Sequence, residues 1–311
     1  MNINTYKIIL NAIIVMGVGM SQNIKFYEKN ETSFADVEVN ELTFSCRVAG
    51  LENKGSAIIL LHGFPETSRM WSDLIELLVK NDYRVIAPDQ RGYSVGSRPL
   101  KVDEYKIDKL SQDIIDIADA FAVDKFHLVG HDWGSAVGWY LSSVEGERLL
   151  SWSALSVPHM DAFIYAMEND EIQKKKSTYI SYFRKRFLPE FYFRIFNYKN
   201  LKSIWTHSSS EEIDSYINLF SQKDALKTAL HWYRANFSGN AKKIGNINVP
   251  TLMISGSNDM AVGQVAVDET ENYIKAPYTL KKIDAGHWLI QESFDEVSSY
   301  ILDHIGKYND R

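Results

Sequence analysis

Short apolar runs alternate with amphipathic stretches along most of the chain. Ala57–Leu61 is an uninterrupted apolar run of strand length. A helical spacing follows it in Met70, Leu74, Leu77 and Leu78. Apolar strands separated by helical segments are typical of a parallel sheet that helices cover on both faces. The pattern therefore predicts an α/β fold with a mostly parallel, doubly wound sheet.

The other strands and helices are predicted from the same two patterns, apolar runs of strand length and apolar residues at helical spacing. Two segments of strand type flank Asn40 and predict an opening hairpin, and six further strands come after it. The predicted strands are Ser33–Val39, Leu42–Ala49, Ala57–Leu61, Tyr83–Ala87, Phe126–Val129, Leu149–Val157, Thr251–Ser255 and Thr279–Ile283. Further helices are predicted over Ile107, Leu110, Ile114, Ile117 and Phe121, over Ala136–Leu141, and over Phe294, Val297, Ile301 and Ile305.

Two segments interrupt this alternation. Residues 158–246 are rich in aromatic and basic residues and contain no strand-like run, which predicts a helical lid inserted into the sheet domain. Residues 1–22 contain one basic residue, a short apolar centre and small residues near their end, as a secretory signal peptide does. We therefore expect a signal peptide at 1–22, a core domain at 23–157 and 247–311, and a lid at 158–246.

The predicted signal peptide bears on localisation. Its apolar run is shorter than the roughly 20 residues that a stable membrane span needs. If residues 1–22 act as a signal, the protein is exported to the periplasm or beyond; otherwise it is cytoplasmic.

Composition excludes several classes of function. Hydrophobic residues make up 45% of the 311 residues, which suffices for a large packed core. The formal net charge of −6 gives no basic footprint for a nucleic acid. Cys46 is the only cysteine, so an internal disulfide and a cysteine-based metal cluster are both excluded.

The pentapeptide Gly130-His131-Asp132-Trp133-Gly134 lies between a predicted strand and a predicted helix. A nucleophile on a sharp strand-to-helix turn needs small residues two positions to either side, because the backbone there is crowded. The middle residue is Asp132, and a carboxylate can attack an electrophilic carbon to form an ester that a second step hydrolyses. A turn in which aspartate only caps the helix is the structural alternative. The position after an apolar strand favours the nucleophile.

A second segment, Gly92-Tyr93-Ser94-Val95-Gly96, matches the G-x-S-x-G pattern of serine hydrolases. No apolar helix begins at Val95, and the next helical pattern starts near Ile107. The segment therefore lacks the strand–turn–helix context that the pattern requires. We predict that Ser94 is structural.

A base and an acid are expected later in the chain, because hydrolases with this turn order their residues nucleophile, acid, histidine. His287 lies just past the Thr279–Ile283 strand, and Asp259 lies just past the preceding strand. An aspartate that accepts a hydrogen bond from one ring nitrogen leaves the other nitrogen free to activate water. We predict that Asp132, Asp259 and His287 act together.

The loop that follows the Ala57–Leu61 strand reads His62-Gly63-Phe64-Pro65-Glu66. In such hydrolases an oxyanion site uses one backbone N–H from this loop and one from the residue after the nucleophile. Those donors are predicted to be Phe64 and Trp133. The Phe64-Pro65 bond is a candidate cis peptide.

Together these residues resemble the epoxide hydrolases of the α/β-hydrolase superfamily, from about Asn23 to the C-terminus. The resemblance implies the α/β-hydrolase fold with a helical cap, and hydrolysis of an epoxide to a vicinal diol through a covalent ester on Asp132. It implies no cofactor and no metal. The motifs that carry it are His62–Glu66, Asp89–Gly92, Gly130–Ser135, Asp259 and Gly286-His287-Trp288.

The resemblance also implies two lid tyrosines that hydrogen-bond the epoxide oxygen and protonate it as the ring opens. His231-Trp232-Tyr233-Arg234-Ala235-Asn236 is similar to the family segment that carries the second, which assigns Tyr233. Tyr179-Ile180-Ser181-Tyr182-Phe183 is similar to the segment that carries the first and aligns Tyr182, with Tyr179 close by as the alternative. The many lid aromatics suggest a small hydrophobic epoxide as substrate.

Two other functions stay open from the sequence. Haloalkane dehalogenases share the aspartate nucleophile and, similarly, a tryptophan at the position of Trp133. They usually carry an asparagine at the position of Phe64. The side chain of Phe64 has no hydrogen-bond donor for a halide. A non-catalytic ligand-binding homologue is the second alternative, although such a protein would be free to lose Asp132, Asp259 and His287.

Overall fold

Nine strands form one sheet in the computed structural model, which describes residues 23–237 and 243–309. The predicted signal peptide, residues 1–22, lies outside the described residues and stays a prediction. The strands are β1 (Ile24–Lys29), β2 (Thr32–Val39), β3 (Leu42–Ala49), β4 (Ala57–Leu61), β5 (Arg84–Pro88), β6 (Phe126–His131), β7 (Leu149–Leu155), β8 (Thr251–Gly256) and β9 (Tyr278–Ile283).

The sheet order is β1-β2-β3-β5-β4-β6-β7-β8-β9. The first three strands pair antiparallel with one another, and β3 pairs antiparallel with β5. The other six strands are parallel; Ile59 of β4, for example, pairs with Ile86 on one side and Leu128 on the other. Strands with parallel neighbours on both sides are covered on both faces, which is why β4 is apolar throughout and all six residues of β6 are buried.

Twelve α-helices occur among the described residues. They are α1 (Ser72–Lys80), α2 (Ile107–Ala120), α3 (Trp133–Val144), α4 (Met160–Asn169), α5 (Glu171–Lys176), α6 (Thr178–Phe183), α7 (Leu188–Lys202), α8 (Ser210–Ser221), α9 (Ala225–Asn236), α10 (Gln264–Glu269), α11 (Leu289–Glu292) and α12 (Phe294–Gly306).

Alternate residues of the central strands point into two separate apolar layers. Ile59 packs in the layer that contains residues of α2 and α3. Its neighbour Ile58 packs in the opposite layer with residues of α1 and α12. Because successive strand side chains point to opposite faces, the sheet is covered on both sides, and the predicted doubly wound fold is confirmed.

The six helices α4 to α9 lie between β7 and β8, where the sequence predicts a lid. The last of them is fastened to the core: the indole N–H of Trp232 donates to the carbonyl of Arg91 over 2.9 Å, and the hydroxyl of Thr228 donates to the carbonyl of Gly92 over 2.8 Å. The limits 158 and 246 stay a prediction. None of the helices of the described residues has the length and apolar character that crossing a membrane requires.

One strand is missing from the sequence prediction. The opening is a three-stranded meander and not a hairpin, because β1 pairs with β2 over its whole length. This strand lies at the edge of the sheet, and none of its six side chains is fully buried. Only Ile24 and Phe26 of this strand pack against the core, and both are partly exposed, so the apolar alternation is too short to predict a strand.

Candidate active site

Asp132 sits on the turn between β6 and α3 with φ of +52° and ψ of −118°. A Cβ atom added to Gly130 would lie 2.5 Å from the carbonyl oxygen of Gly134, and one added to Gly134 would lie 2.1 Å from that of Leu61. Both glycines are therefore required by close backbone approach. The strained turn presents the carboxylate at the carboxyl edge of the parallel strands.

The three residues predicted to act together are in contact. Nδ1 of His287 lies 2.8 Å from Oδ2 of Asp259, and Nε2 lies 3.5 Å from Oδ2 of Asp132. Asp259 follows β8 and His287 follows β9, so both lie at the same edge of the sheet as Asp132. The acid is itself fixed, because its Oδ1 accepts the backbone N–H groups of Ala261 at 2.7 Å and Val262 at 3.0 Å.

Electrostatics within this group favour a charged imidazole beside two carboxylates. Burial alone lowers the pKa of His287, but the negative charges of Asp259 and Asp132 and their hydrogen bonds raise it well above its ordinary value. Burial alone raises the pKa of Asp259, yet the charge and hydrogen bond of His287 and the two N–H donors bring it below its ordinary value. The Asp132 charge is thus one cause of the raised pKa of His287.

The predicted oxyanion donor Phe64 contacts the carboxylate directly. Its backbone N–H donates to Oδ1 of Asp132 over 2.7 Å, and the Phe64-Pro65 bond is cis. Gly63 allows this approach, since a Cβ there would lie 2.4 Å from Oδ1 of Asp132. Trp133 is the first residue of α3, where backbone N–H groups have no partner within the helix. Its role as the second donor stays a prediction.

Two tyrosines of the helices between β7 and β8 lie close enough to Asp132 for its charge to act on them. Tyr233 on α9 is 3% exposed, and its ring centroid lies 5.1 Å from that of Trp133. The ring of Tyr179 on α6 lies 6.1 Å from the ring of Tyr233. Burial raises the pKa of both phenols, and the negative charge of Asp132 raises each of them further. Both hydroxyls therefore stay protonated and available as hydrogen-bond donors.

Tyr182 requires a correction, since the structure does not bring it to this group. Its hydroxyl donates to the carbonyl of Leu188 over 3.2 Å, and its ring packs against Tyr192 near the surface. Tyr179 and Phe183 are four residues apart and share the inner face of α6, whereas Tyr182 is turned away from Phe183 by about 100° of helix. The geometry favours Tyr179 over Tyr182 as the partner of Tyr233.

The family described as alpha/beta hydrolase fold matches residues 56–294, more than half of the chain. This chain belongs to the α/β-hydrolase family.

Several relatives resemble the hydrolase along most of its length. The AB hydrolase superfamily protein YfhM of Bacillus subtilis (strain 168) is 36% identical over 276 residues, which cover 86% of this chain and 96% of that protein. Epoxide hydrolase 4 of Homo sapiens is 33% identical over 266 residues, covering 82% of this chain and 73% of the human protein. The crystal structure of epoxide hydrolase VrEH1 from Vigna radiata superposes with a TM-score of 0.76 at 27% identity, over 89% of this chain and 99% of that one.

The hydrolase contains a buried pair beneath the site that sequence reasoning missed. Glu66 and His131 are both fully buried, with Oε2 of Glu66 3.4 Å from Nδ1 of His131. The other ring nitrogen of His131 lies 2.8 Å from the carbonyl oxygen of His287, which the hydroxyl of Ser156 also contacts at 2.7 Å. Oε1 of Glu66 accepts the amide of Gln291 over 2.6 Å.

The partners of His131 indicate which ring nitrogen bears hydrogen. A carbonyl oxygen only accepts, so the His131 nitrogen that faces His287 must carry hydrogen. The other nitrogen faces Oε2 of Glu66, and neither of these two buried atoms forms a hydrogen bond among the described residues. Burial raises the pKa of Glu66, which favours its neutral carboxyl. The available signal was one further ionisable residue in each of two motifs, next to Phe64-Pro65 and next to Asp132.

Ser94 is placed apart from this group. Its hydroxyl donates to the carbonyl of Asp89 over 2.6 Å and accepts the backbone N–H of Ser45 over 2.9 Å. It lines a cavity of about 600 Å³ between the first strands and α8, to which none of Asp132, Asp259 and His287 contributes. The expected structural role of Ser94 agrees with this bonding.

Proposed function

We propose that this hydrolase opens small hydrophobic epoxides to vicinal diols, with Asp132 as the nucleophile. The observation that carries the proposal is the contact of the Asp132 carboxylate with His287 beside two phenols, with the ring of Tyr233 against Phe64 and Trp133 and the ring of Tyr179 against Tyr233. A carboxylate paired with a base is able to form and hydrolyse an ester, and two neutral phenols are suited to a developing alkoxide. The relatives named as epoxide hydrolases support the same reaction.

In the first half-reaction, Oδ2 of Asp132 attacks one carbon of the epoxide. The carbon–oxygen bond at that carbon breaks as the new ester bond forms, and the ring oxygen takes a proton from Tyr179 or Tyr233. The other phenol keeps its hydrogen bond to the oxygen. The raised pKa of both phenols suits this role, because an alkoxide is a strong base and a neutral phenol is its natural donor.

In the second half-reaction, His287 removes a proton from water while the water oxygen attacks the carbonyl carbon of the ester. Charge develops on Oδ1, which the N–H of Phe64 already contacts. As the intermediate collapses, its hydroxyl proton passes to the departing alkoxide, which leaves as the diol and restores the carboxylate, and the proton on His287 returns to the phenolate. Ester formation also removes the negative charge of Asp132, so the pKa of His287 falls and the imidazole releases to solvent the proton that it carries in the free enzyme before it acts as the base.

The wall of the site is apolar, which supports a hydrophobic substrate. The ring of Phe64, next to the nucleophile, contacts four other aromatic rings at centroid distances of 5.6 to 6.1 Å. Those rings belong to Phe183, Phe193, Phe220 and Tyr233. The identity of residue 64 counts against halide binding, because the aromatic ring of a phenylalanine has no N–H donor.

The test is turnover of a panel of aryl and alkyl epoxides beside the matching bromoalkanes, scored for diol and for free halide. Diol formation that disappears in Asp132→Asn and falls in Tyr233→Phe supports the proposal. Halide release that survives Tyr233→Phe, without diol, would establish a dehalogenase. Tight epoxide binding with neither product would establish a ligand-binding homologue.

A further inference from the structure

An exposed aromatic and basic surface covers the outer side of the lid around the start of α7. We call it the lid patch. Its aromatic members include Phe187, Phe191 and Phe196, which are 73%, 67% and 77% exposed. The complete lid patch consists of Phe187, Leu188, Phe191, Tyr192 and Phe196 with Arg184, Lys185, Arg186, Arg194 and Lys199.

Two of the apolar members share one face of α7. Leu188 and Tyr192 are four residues apart in its first turns, whereas Phe187 precedes the helix with φ of +66° and Phe196 lies where the helix is broken, over residues 195–198. Phe193 points the other way: it is 2% exposed and its ring contacts Phe64 inside the lid. The segment therefore has an inner face that closes the site and an outer apolar face that nothing in the described part of the chain covers.

The charge of this segment is opposite to that of the whole chain. Residues 184–202 contain six basic residues and one acidic residue, whereas the chain has a formal net charge of −6. The acidic residue, Glu190, is already paired with Arg234 at 2.8 Å. Within the described residues, none of the five basic side chains of the lid patch forms a salt bridge. Lys185 and Arg186 lie over the rings of Tyr182 and Phe187, at 6.0 Å and 5.6 Å from the ring centroids, but no carboxylate of the described residues neutralises any of the five charges.

The backbone adds a second indication. Phe187 and Phe196 have φ values of +66° and +52°, a left-handed conformation that is unfavourable for a bulky residue. Strain of this kind is normally offset by burial of the side chain, yet both rings point to solvent. Strained residues that gain nothing from the chain's own packing are a feature of binding surfaces.

We propose that the lid patch docks on an anionic lipid membrane. Aromatic and aliphatic side chains enter the boundary between head groups and acyl chains, and flanking lysines and arginines contact anionic head groups. Large exposed apolar patches are otherwise uncommon on soluble proteins. A second copy of this chain fits less well, because two lid patches would bring ten cations together.

Docking has a consequence for the site, and that consequence rests on the proposed function. Helix α6 carries Tyr179 and Phe183 on its inner side, and Arg184 follows it directly. A docked lid patch would place the residues around the epoxide next to the phase into which hydrophobic epoxides partition. Docking itself does not depend on the reaction and is tested without it.

The test exploits the cysteine content. Cys46 is the only cysteine and is fully buried, so one introduced surface cysteine takes an environment-sensitive dye selectively. The full chain is labelled at Phe191→Cys, with Val144→Cys as the matched site. Val144 is 51% exposed and ends α3, near the start of β7 and so at the opposite edge of the sheet from Asp132.

Labelled protein is mixed with phosphatidylcholine vesicles with and without about a quarter phosphatidylglycerol, a proportion that gives an anionic surface. We expect the dye at position 191 to shift to the blue on anionic vesicles, and the dye at position 144 to stay unchanged. The dye reports only on its own surroundings. Attachment to vesicles through residues 1–22 alone would therefore leave the emission of the dye at position 191 unchanged.

Charge reversal provides the second measurement. Arg184→Glu, Lys185→Glu and Arg186→Glu together should weaken partitioning of the 191-labelled protein by at least about tenfold, since each basic residue near an anionic surface contributes about 1 kcal/mol. The control, Lys25→Glu, Lys29→Glu and Lys54→Glu, makes the same change in net charge on exposed residues outside the lid. Thermal unfolding checks that both triple variants are folded.

Three results would overturn the proposal. An unshifted dye at position 191, or equal shifts at 191 and 144, would exclude docking through the lid patch. Equal weakening by both triple variants would show that only net charge matters. A blue shift that grows with protein concentration in the absence of vesicles would identify the lid patch as an interface between copies.

Discussion

The backbone N–H of Phe64 donates to Oδ1 of Asp132 over 2.7 Å. The other carboxylate oxygen, Oδ2, lies toward His287, 3.5 Å from Nε2. The two oxygens of the nucleophile are therefore not equivalent: Oδ2 is placed to attack, and Oδ1 is placed to remain as the ester carbonyl and to carry the negative charge during hydrolysis.

This inequivalence predicts the fate of the oxygen from water. In a single turnover in ¹⁸O-labelled water with enzyme in excess, the diol should leave with Oδ2 and remain unlabelled, while the peptide that contains Asp132 gains one heavy oxygen. Mass spectrometry of the diol and of the digested protein measures both. A labelled diol from the first turnover, with an unlabelled Asp132, would mean that water attacks the epoxide directly.

The ester intermediate should accumulate when the base is removed. His287→Gln leaves Asp132 and the phenols in place, so the ring still opens, but no group activates water. We expect steady-state turnover to fall at least about 10³-fold. Intact-mass measurement should show one equivalent of epoxide added to the protein.

The matched control for that experiment is His287→Gln combined with Asp132→Asn, which should take up no epoxide. An adduct of equal size on the double variant would place the covalent bond elsewhere. Proteolysis of the adduct should then locate the modified residue.

The two candidate tyrosines of α6 can be separated by a pair of substitutions. Tyr179→Phe should lower kcat/KM for epoxides by about ten- to hundredfold, because one of two donors to the ring oxygen is lost and the other remains. Tyr182→Phe removes only a hydrogen bond to the carbonyl of Leu188 and should leave kcat/KM close to that of the unmodified enzyme. A larger loss of kcat/KM in Tyr182→Phe than in Tyr179→Phe would show that α6 rotates when substrate binds.

A substitution of Ser94 tests whether the G-x-S-x-G segment contains a catalytic serine. Ser94→Ala breaks the two hydrogen bonds to Ser45 and Asp89, so the free energy of unfolding should fall by about 1 kcal/mol or somewhat more. Diol formation by the folded variant should be unchanged, whereas Asp132→Asn should abolish it. Urea unfolding and turnover of the same preparations measure the two effects. Loss of turnover in folded Ser94→Ala would contradict the assignment of the nucleophile.

The sequence predicts best where local pattern alone decides the structure. The apolar run Ala57–Leu61 becomes a strand with those same ends, because burial on both faces forbids polar side chains. Part of the turn at Asp132 is likewise local, since Gly130 is required by the backbone of Gly134 within the same motif. Each of these features is specified by a few adjacent residues.

Features that depend on orientation or on distant contacts are the ones that the sequence did not resolve. Tyr179 and Tyr182 differ only by their rotation on a six-residue helix, and the family pattern does not specify that rotation. The pairing of Glu66 with His131 joins residues 65 positions apart, and nothing in either motif indicates the other. Helix phase and tertiary contact are set by packing, which no single segment contains.

Two buried histidines, one in β6 and one in α12, predict how the fold responds to acid. Burial lowers the pKa of His127 and of His304 to about 4 in each case, below the value of 6.5 for an unperturbed histidine. The unfolded chain therefore binds more protons than the native state between these values. The stability that each neutral histidine contributes is fully present above pH 6.5 and is lost as the pH falls toward 4.

The expected loss is about 1.4 kcal/mol per pH unit for each histidine in that window. His127→Gln retains hydrogen-bonding capacity toward Ser151 and Asn309, the present partners of the ring, but cannot take up a proton. Urea unfolding at several pH values between 7.5 and 5 should therefore give a shallower decline for the variant than for the unmodified protein, by about 1.4 kcal/mol per unit below pH 6. All other titrating groups are common to the two proteins, so parallel curves would show that His127 titrates normally despite its burial.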